Sequence, residues 1–327
     1  MNTRRLGFAF AFARLGVALA LCVSSVQAQL AYPSRPVKLV VGFPAGSATD
    51  TAARIVAEQI RPYLGQQIVV ENRAGAASGI ATEAVANAVG DGYTLLFSSS
   101  SATVNAAADD NAQSRAYKSL VPVGLVAAIP NILVVHPSLG IKSVAELIAL
   151  AKAKPERISF ASSGPGSSPH MSAELFATRT GVKMQHIPYK GSSAAMNDVL
   201  SGLVPVMFSP ASSVLPHIKS GKLIALATTG NRRTSLLDVP TLAESGLPGF
   251  NVSLWFGLLA PKGTPTAVVS KLASSLEQAL DNPETRAQLT KQNMEVIKAS
   301  PTEFGVFIQT EIDRWSALLK ANNIVIH

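Results

Sequence analysis

The chain has 327 residues, 47% of them hydrophobic and 6% aromatic, one cysteine and a formal charge of +8. That length suits two domains of packed α/β layers. A single cysteine excludes a disulfide framework, and Lys and Arg scattered among few aromatics exclude a nucleic-acid-binding stripe.

The N-terminus reads as a secretory signal peptide over residues 1–28. Arg4 and Arg5 form a basic n-region, Arg14 a second basic island, and an apolar run leads to the small-x-small cleavage site Val26-Gln27-Ala28. The apolar stretch after Arg14 is short of the ~20 residues that span a bilayer. Cys22 lies inside this segment and follows Leu21 rather than a small residue, so lipidation is not expected. Cleavage would remove three arginines and no acid, leaving +5 and no thiol. A modest attraction for anionic solutes follows.

Strand-like runs then alternate with helix-like spacing. Val37 to Val41 predicts a strand, and Ile55, Val56, Ile60 and Leu64 fall on one face of a helix that begins near Ala52 and stops at Gly65. Ile68 to Val70 and Tyr93 to Phe97 predict strands flanking a helix from Ile80 to Val89. A second unit begins near residue 130. Its strands are Ile132 to Val135, Ile158 to Ala161, Met184 to Ile187, Val204 to Phe208 and Leu223 to Ala227. Ser143 with Glu146 predicts a capping box for a helix through Lys152, and His170 to Thr180 a further helix. Helices opening at Thr264-Pro265, Asn282-Pro283 and Ser300-Pro301-Thr302-Glu303 follow, with Trp315 and Leu318 packing the last onto the body. Continuous apolar strands between amphipathic helices predict a mostly parallel sheet covered on both faces. No Gly/Ser linker separates the units, which favours a hinge made of strands.

Ligands of such folds bind beyond the carboxyl ends of strands, where helices begin. Four places there are dense in Gly, Ser and Thr. They are Phe43-Pro44-Ala45-Gly46-Ser47-Ala48-Thr49-Asp50, Ser98-Ser99-Ser100-Ser101-Ala102-Thr103, Ser162-Ser163-Gly164-Pro165-Gly166-Ser167-Ser168-Pro169-His170 and Thr228-Thr229-Gly230. A helix N-terminus carries unpaired N–H groups and about half a positive charge, so it attracts an anion. Hydroxyls add donors that need no ionisation. Lys190 stands either at the cleft rim or in a solvated loop, Asp198 as a cap or surface acid, and Trp255 in a cleft wall or, preferably, the core.

Rival chemistries lack their residues. Pro169 replaces the third glycine of a dinucleotide fingerprint, and neither Lys190 nor Lys222 follows a Walker pattern. No Gly-x-Ser-x-Gly elbow occurs, and His136, His170, His186, His217 and His327 lack metal-ligand spacing. Neither enzyme activity nor a cofactor is expected.

At several of these residues the chain resembles the Bug-type extracytoplasmic solute receptors of tripartite tricarboxylate transport systems. The resemblance rests on Tyr32-Pro33-Ser34-Arg35-Pro36, Phe43 to Asp50, Val70-Glu71-Asn72-Arg73-Ala74-Gly75 and Asp91 to Leu96. Pro188-Tyr189-Lys190-Gly191, Val239 to Glu244 and Trp255-Phe256-Gly257 extend it over the mature chain. It implies an α/β type II periplasmic binding fold, two doubly wound lobes joined by a two-strand hinge, in a Gram-negative periplasm. Lobe 1 would comprise 29–128 plus 252–327, and lobe 2 129–251. The ligand, a small di- or tricarboxylate or an aromatic acid, would set its carboxylate against the Phe43–Asp50 loop, partly through water, and meet the Ser162–His170 loop of the other lobe. The implied partner is a two-component permease driven by an ion gradient. A sensor subunit presenting the closed form to a signalling partner is the alternative, and the receptor is expected to be a monomer.

Two departures matter. Ala45 and Ser47 stand where the family usually has proline and glycine, and Pro205 and Ser209 where it often has acids. If an acid at Ser209 meets a ligand amine, its absence argues against an amino acid. The expected contacts are therefore Phe43, Ala45, Gly46, Ser47, Asp50, Ser98, Ser99, Ser100, Thr103, Ser162, Ser163, Gly164, Gly166, Ser167, His170, Lys190, Ser209 and Thr228.

Overall fold

One fifteen-residue strand organises the protein. In the computed structural model, which describes residues 32–108, 111–234 and 237–326, the strand β4 (Val121–Val135) is buried along nearly its whole length. The signal peptide read over 1–28 and His327 lie outside the described residues. Residues 35–327 form one compact unit.

The N-terminal part of β4 pairs with β9 (Ser253–Ala260) and β10 (Glu295–Ala299). Beyond β9 lie β3 (Thr94–Ser99), β1 (Val37–Val41) and the edge strand β2 (Ile68–Asn72). From Asn131 onward β4 pairs instead with β7 (Val206–Pro210) and β8 (Ile224–Thr228). Outside β7 lie β5 (Ser159–Ser162) and β6 (Gln185–Pro188). The chain thus crosses between two half-sheets at Pro130-Asn131 and again between Thr229 and Ser253. Thr229 fastens the crossings together. Its N–H donates to Asn131 O at 2.9 Å, and its hydroxyl donates to Val252 O at 2.6 Å.

The half-sheets are mixed rather than mostly parallel. β1 pairs parallel with β2 and β3, and β5 with β6 and β7, but every pairing of β4 and the β3–β9 pairing are antiparallel. A continuous apolar run reports burial on both faces and carries no information about strand direction.

The helices are α1 (Ala48–Leu64), α2 (Gly79–Ala86), α3 (Ser100–Ala108), α4 (Ala112–Ser119), α5 (Val144–Ala153) and α6 (Ser168–Thr180). They continue as α7 (Ser192–Leu200), α8 (Ala211–Lys219), α9 (Thr266–Asp281), α10 (Pro283–Lys291) and α11 (Pro301–Ala321). Gly65 closes α1 in the left-handed region at φ +83°, as a C′ glycine does. The capping box at Ser300 and Glu303 is complete. At Ser143 only half of it forms, because the Glu146 carboxylate accepts from Lys142 N at 2.6 Å instead of from the cap residue. The sequence reading missed α3, α4, α7, α8 and β10. In α3 seven of nine residues are buried, so no polar face marks a helical period.

Trp255 belongs to the core and not to a cleft wall. It lies edge-on to Phe304 and Phe307, and its indole N–H donates to Glu311, which also accepts from Trp315. Trp315 is buried and Leu318 partly buried, so α11 packs on the body as expected. No helix among the described residues is long and apolar enough to cross a membrane.

Candidate functional site

The first serine- and glycine-rich loop links β1 to α1. Ser47 caps α1 by accepting from Asp50 N at 3.2 Å. Gly46 takes φ +78°, which turns the chain so that its N–H meets the Asp50 carboxylate at 2.8 Å. The same carboxylate accepts from Arg54 at 2.9 Å and from Asn72 at 2.8 Å. Asn72 also donates to Phe43 O at 3.0 Å, tying the loop to the end of β2. Burial acts to raise the Asp50 pKa, but hydrogen bonds from Arg54, Gly46 and Asn72 outweigh it and hold the carboxyl below its ordinary value. Asp50 therefore braces the loop, while the first N–H groups of α1 have no intrahelical partner and face outward from the helix end. Phe43, Ala45, Gly46 and Ser47 form the loop's surface.

Parallel pairing of β1 and β3 places the second loop beside the first. Ser98 donates to the Tyr117 hydroxyl at 3.4 Å, and Thr103 to Ser100 O at 2.7 Å. The Ser99 and Ser100 hydroxyls are buried at the start of α3 without a protein partner. Next to them Ala76, Ala77 and Ser78 hold φ of +47°, +45° and +81°, a strained run for residues with a Cβ. Asn105 clamps it by donating to both Ala76 O and Ala77 O at 3.0 Å. Asn105→Ala is expected to cost about 1–2 kcal/mol by removing these bonds, read in urea denaturation. An unchanged midpoint would show that the run holds its conformation without the clamp.

The third loop links β5 to α6, with Ser167 as N-cap. The Ser162 hydroxyl lies 2.7 Å from His186 Nε2 and accepts from Gly164 N at 3.1 Å. Ser167 donates to Gly164 O at 2.6 Å, and Gly166 N donates to His170 Nδ1 at 3.2 Å. Ser163 lies within the turn so formed. The rings of His170 and His186 stack 4.0 Å apart.

Ser209 and Thr228 flank Ile132 from the strands on either side of β4. The Ser209 hydroxyl is buried without a protein partner, whereas Thr228 receives the Gly230 N–H at 3.4 Å. Asn131 donates to Ser168 and Ser172 of α6, leaving its buried Oδ1 unpaired. Lys190 is exposed, two residues beyond β6. Asp198 accepts from the Tyr189 hydroxyl at 2.5 Å and is a structural partner of that loop.

The two sets of loops meet at Gly166. A Cβ there would lie 3.0 Å from Asn105 Oδ1 and 3.2 Å from Ile326 Cγ2, so the β5–α6 turn sits directly against α3 and the C-terminal segment. Three helix N-termini and several hydroxyls thus gather around the ends of the half-sheets. Among the described residues the buried polar set contains Asp50 and Glu311 but no lysine or arginine, and no group of His, Cys, Asp and Glu is placed to hold a metal ion. Sequence reasoning missed Asn72 as a brace, Asn105, Asn131 and His186. Only Asn72 carried a signal, inside Val70 to Gly75.

Comparison with known proteins identifies the family and the fold. The family described as the tripartite tricarboxylate transporter family receptor matches residues 52–324. Protein BugT of Bordetella pertussis is 40% identical over 292 residues, which cover 88% of this chain and 90% of BugT. The structure of the periplasmic binding protein BugD is similar with a TM-score of 0.82 and 36% identity, covering 90% of this chain and 99% of BugD. The R. palustris protein Rpa4515, solved with adipate, gives a TM-score of 0.83 at 33% identity, covering 90% of this chain and 99% of Rpa4515. The two-lobe periplasmic binding fold expected from the sequence is the fold of these structures.

Proposed function

This chain belongs to the tripartite tricarboxylate transporter receptor family, and we propose that it captures a small dicarboxylate between two lobes and delivers it to a membrane permease. Receptors of this family are periplasmic binding proteins, not enzymes. Export through cleavage of residues 1–28 accords with that compartment.

The observation that carries the reading is the pairing of helix N-termini with buried, unpartnered hydroxyls in a region without a buried cation. Such a site holds an anion by N–H and O–H groups, and it releases the anion without separating a buried ion pair. The adipate held by Rpa4515 supports a dicarboxylate. Ser209 is neutral and buried, which disfavours a ligand amine beside it. Lobe 1 (29–128 plus 252–327) would close on lobe 2 (129–251) by bending at Pro130-Asn131 and Thr229–Ser253, and the closed form would be what the permease recognises. The expected ligand contacts are those of the four loops, with Ser209 and Thr228 at the base and Lys190 at the rim.

A thermal-shift screen of protein refolded free of ligand tests this. Linear dicarboxylates are expected to stabilise it by about 2.7 kcal/mol at a hundredfold excess over Kd, and the matching diamides not at all. Equal shifts for acid and amide would sink anion capture. Tighter binding of aspartate than of succinate would sink the reading of Ser209.

A further inference from the structure

We propose that His170 and His186, through their hydrogen bonds to Gly166 and Ser162, position the Ser162–Ser167 loop for capture, so that acid loosens this loop and weakens binding there. What the loop binds rests on the receptor reading above; how it is held does not.

The loop has few ways to hold its shape. Gly164 and Gly166 adopt φ of +123° and +70°, and neither has a side chain to anchor it. Ser167 holds Gly164 O from within the turn, and two imidazoles anchor the turn from outside it. His186, from β6, lies 2.7 Å from the Ser162 hydroxyl, which in turn receives the Gly164 N–H. His170, in the first turn of α6, accepts the Gly166 N–H at Nδ1. An N–H cannot donate to a protonated nitrogen, so Nδ1 is bare and the ring hydrogen is assigned to Nε2. That Nε2 faces Glu174 Oε1 at 3.4 Å. The two rings stack 4.0 Å apart, and His186 continues the stack onto Phe160 at 4.9 Å.

Glu174 faces His170. The other charged groups of the adjoining groove, Glu156 and Lys183, pair with each other at 3.8 Å. Burial, and then the neighbouring His170, push the pKa of His186 down to about 3. A proton placed on Nδ1 of His170 would set an N–H against the Gly166 N–H, and a charge against the His186 ring 4.0 Å away. Opening of the loop frees the His186 ring to titrate near its ordinary value of about 6.5. Below that pH the opened form binds more protons than the native one, so the held conformation loses stability as pH falls from about 6.5 toward 3.

Amide hydrogen exchange on the whole protein decides the matter. After correction for intrinsic rates, protection at Gly166 is expected to fall about tenfold between pH 7.5 and 4.5, while that of Phe97 in β3 holds. His170→Asn places an amide oxygen near the Nδ1 position, so it is expected to keep the neutral-pH protection and flatten the profile. His186→Gln, which keeps a partner for Ser162, serves as a second rescue at Gly164. Protection at Gly166 that ignores pH, or that falls equally in His170→Asn, overturns the proposal. Adipate titrated into wild type and His170→Asn at each pH reads the binding side, since the ratio cancels the ligand's own titration; a pH-independent ratio also overturns it. An absence of adipate binding at pH 7.5, with the exchange profile as expected, would count against the dicarboxylate reading and leave the positioning role standing.

Discussion

Asp50→Ala is expected to destabilise the protein by about 2–4 kcal/mol and to weaken carboxylate binding at least a hundredfold. The carboxylate is buried and accepts from the Gly46 N–H, Arg54 and Asn72 at 2.8–2.9 Å. Alanine leaves the Gly46 N–H and one Asn72 N–H without their acceptor, so the turn at Gly46 keeps its Ser47 N–H bond to Pro44 O at 3.2 Å but loses its tie to α1. Arg54 is half exposed, so water re-solvates it and the cost falls short of that for a fully buried pair. Asp50→Asn separates the effects. It keeps one acceptor oxygen and the shape but loses the charge, so it should retain part of the stability and little of the loop's order. The pH dependence has a definite sign. The folded pKa lies below the ordinary value of 3.8, so the stabilisation is full above that value and is lost as pH falls through it toward the lower folded value. Urea denaturation at pH 7 and pH 3 reads this directly. A wild-type advantage over Asp50→Ala that is as large at pH 3 as at pH 7 would show that the charge contributes nothing.

Much of the fold is legible because burial leaves a local record. β1 and the helix starts at Asn282 and Ser300 depend on residues within one turn of each other. The four hydroxyl-rich loops were findable for the same reason, since each ends a strand and all but Thr228-Thr229-Gly230 open a helix. What holds those loops was not. Asn72 meets Asp50 across 22 residues, and His186 meets Ser162 across 24. Asn105 reaches back 29 residues to Ala76. Such contacts are set by strand order, and strand order is what apolar runs do not encode. The antiparallel return of β9 was lost in the same way, because a strand buried on both faces looks alike in either direction. Asp50 was read as part of its loop at the start of a helix, while its three donors are visible only in space.

Gly42→Ala is the second large effect expected, and it isolates space from backbone strain. Gly42 follows β1, and a Cβ there would lie 2.0 Å from Ser78 Oγ and 2.6 Å from Ser78 Cα. The Ser78 backbone opens α2, so the methyl can be accommodated only by displacing that helix or the loop that Gly42 begins. Overpacking against side chains costs about 1–3 kcal/mol, and a backbone obstacle should put this substitution at or above the upper end. Gly46 supplies the contrast four residues on. Its φ of +78° strains any side chain, but nothing lies within 4 Å of a Cβ there. Gly46→Ala should therefore cost only about 1 kcal/mol, with its N–H still available to Asp50. Gly42 has no left-handed conformation to excuse its glycine, so the ranking follows from close approach alone. Thermal denaturation of the two variants side by side gives the answer. If Gly46→Ala proved the more damaging, the approach of Ser78 to the end of β1 would be looser than the structure draws it, and the first loop would owe its shape to backbone conformation rather than to packing.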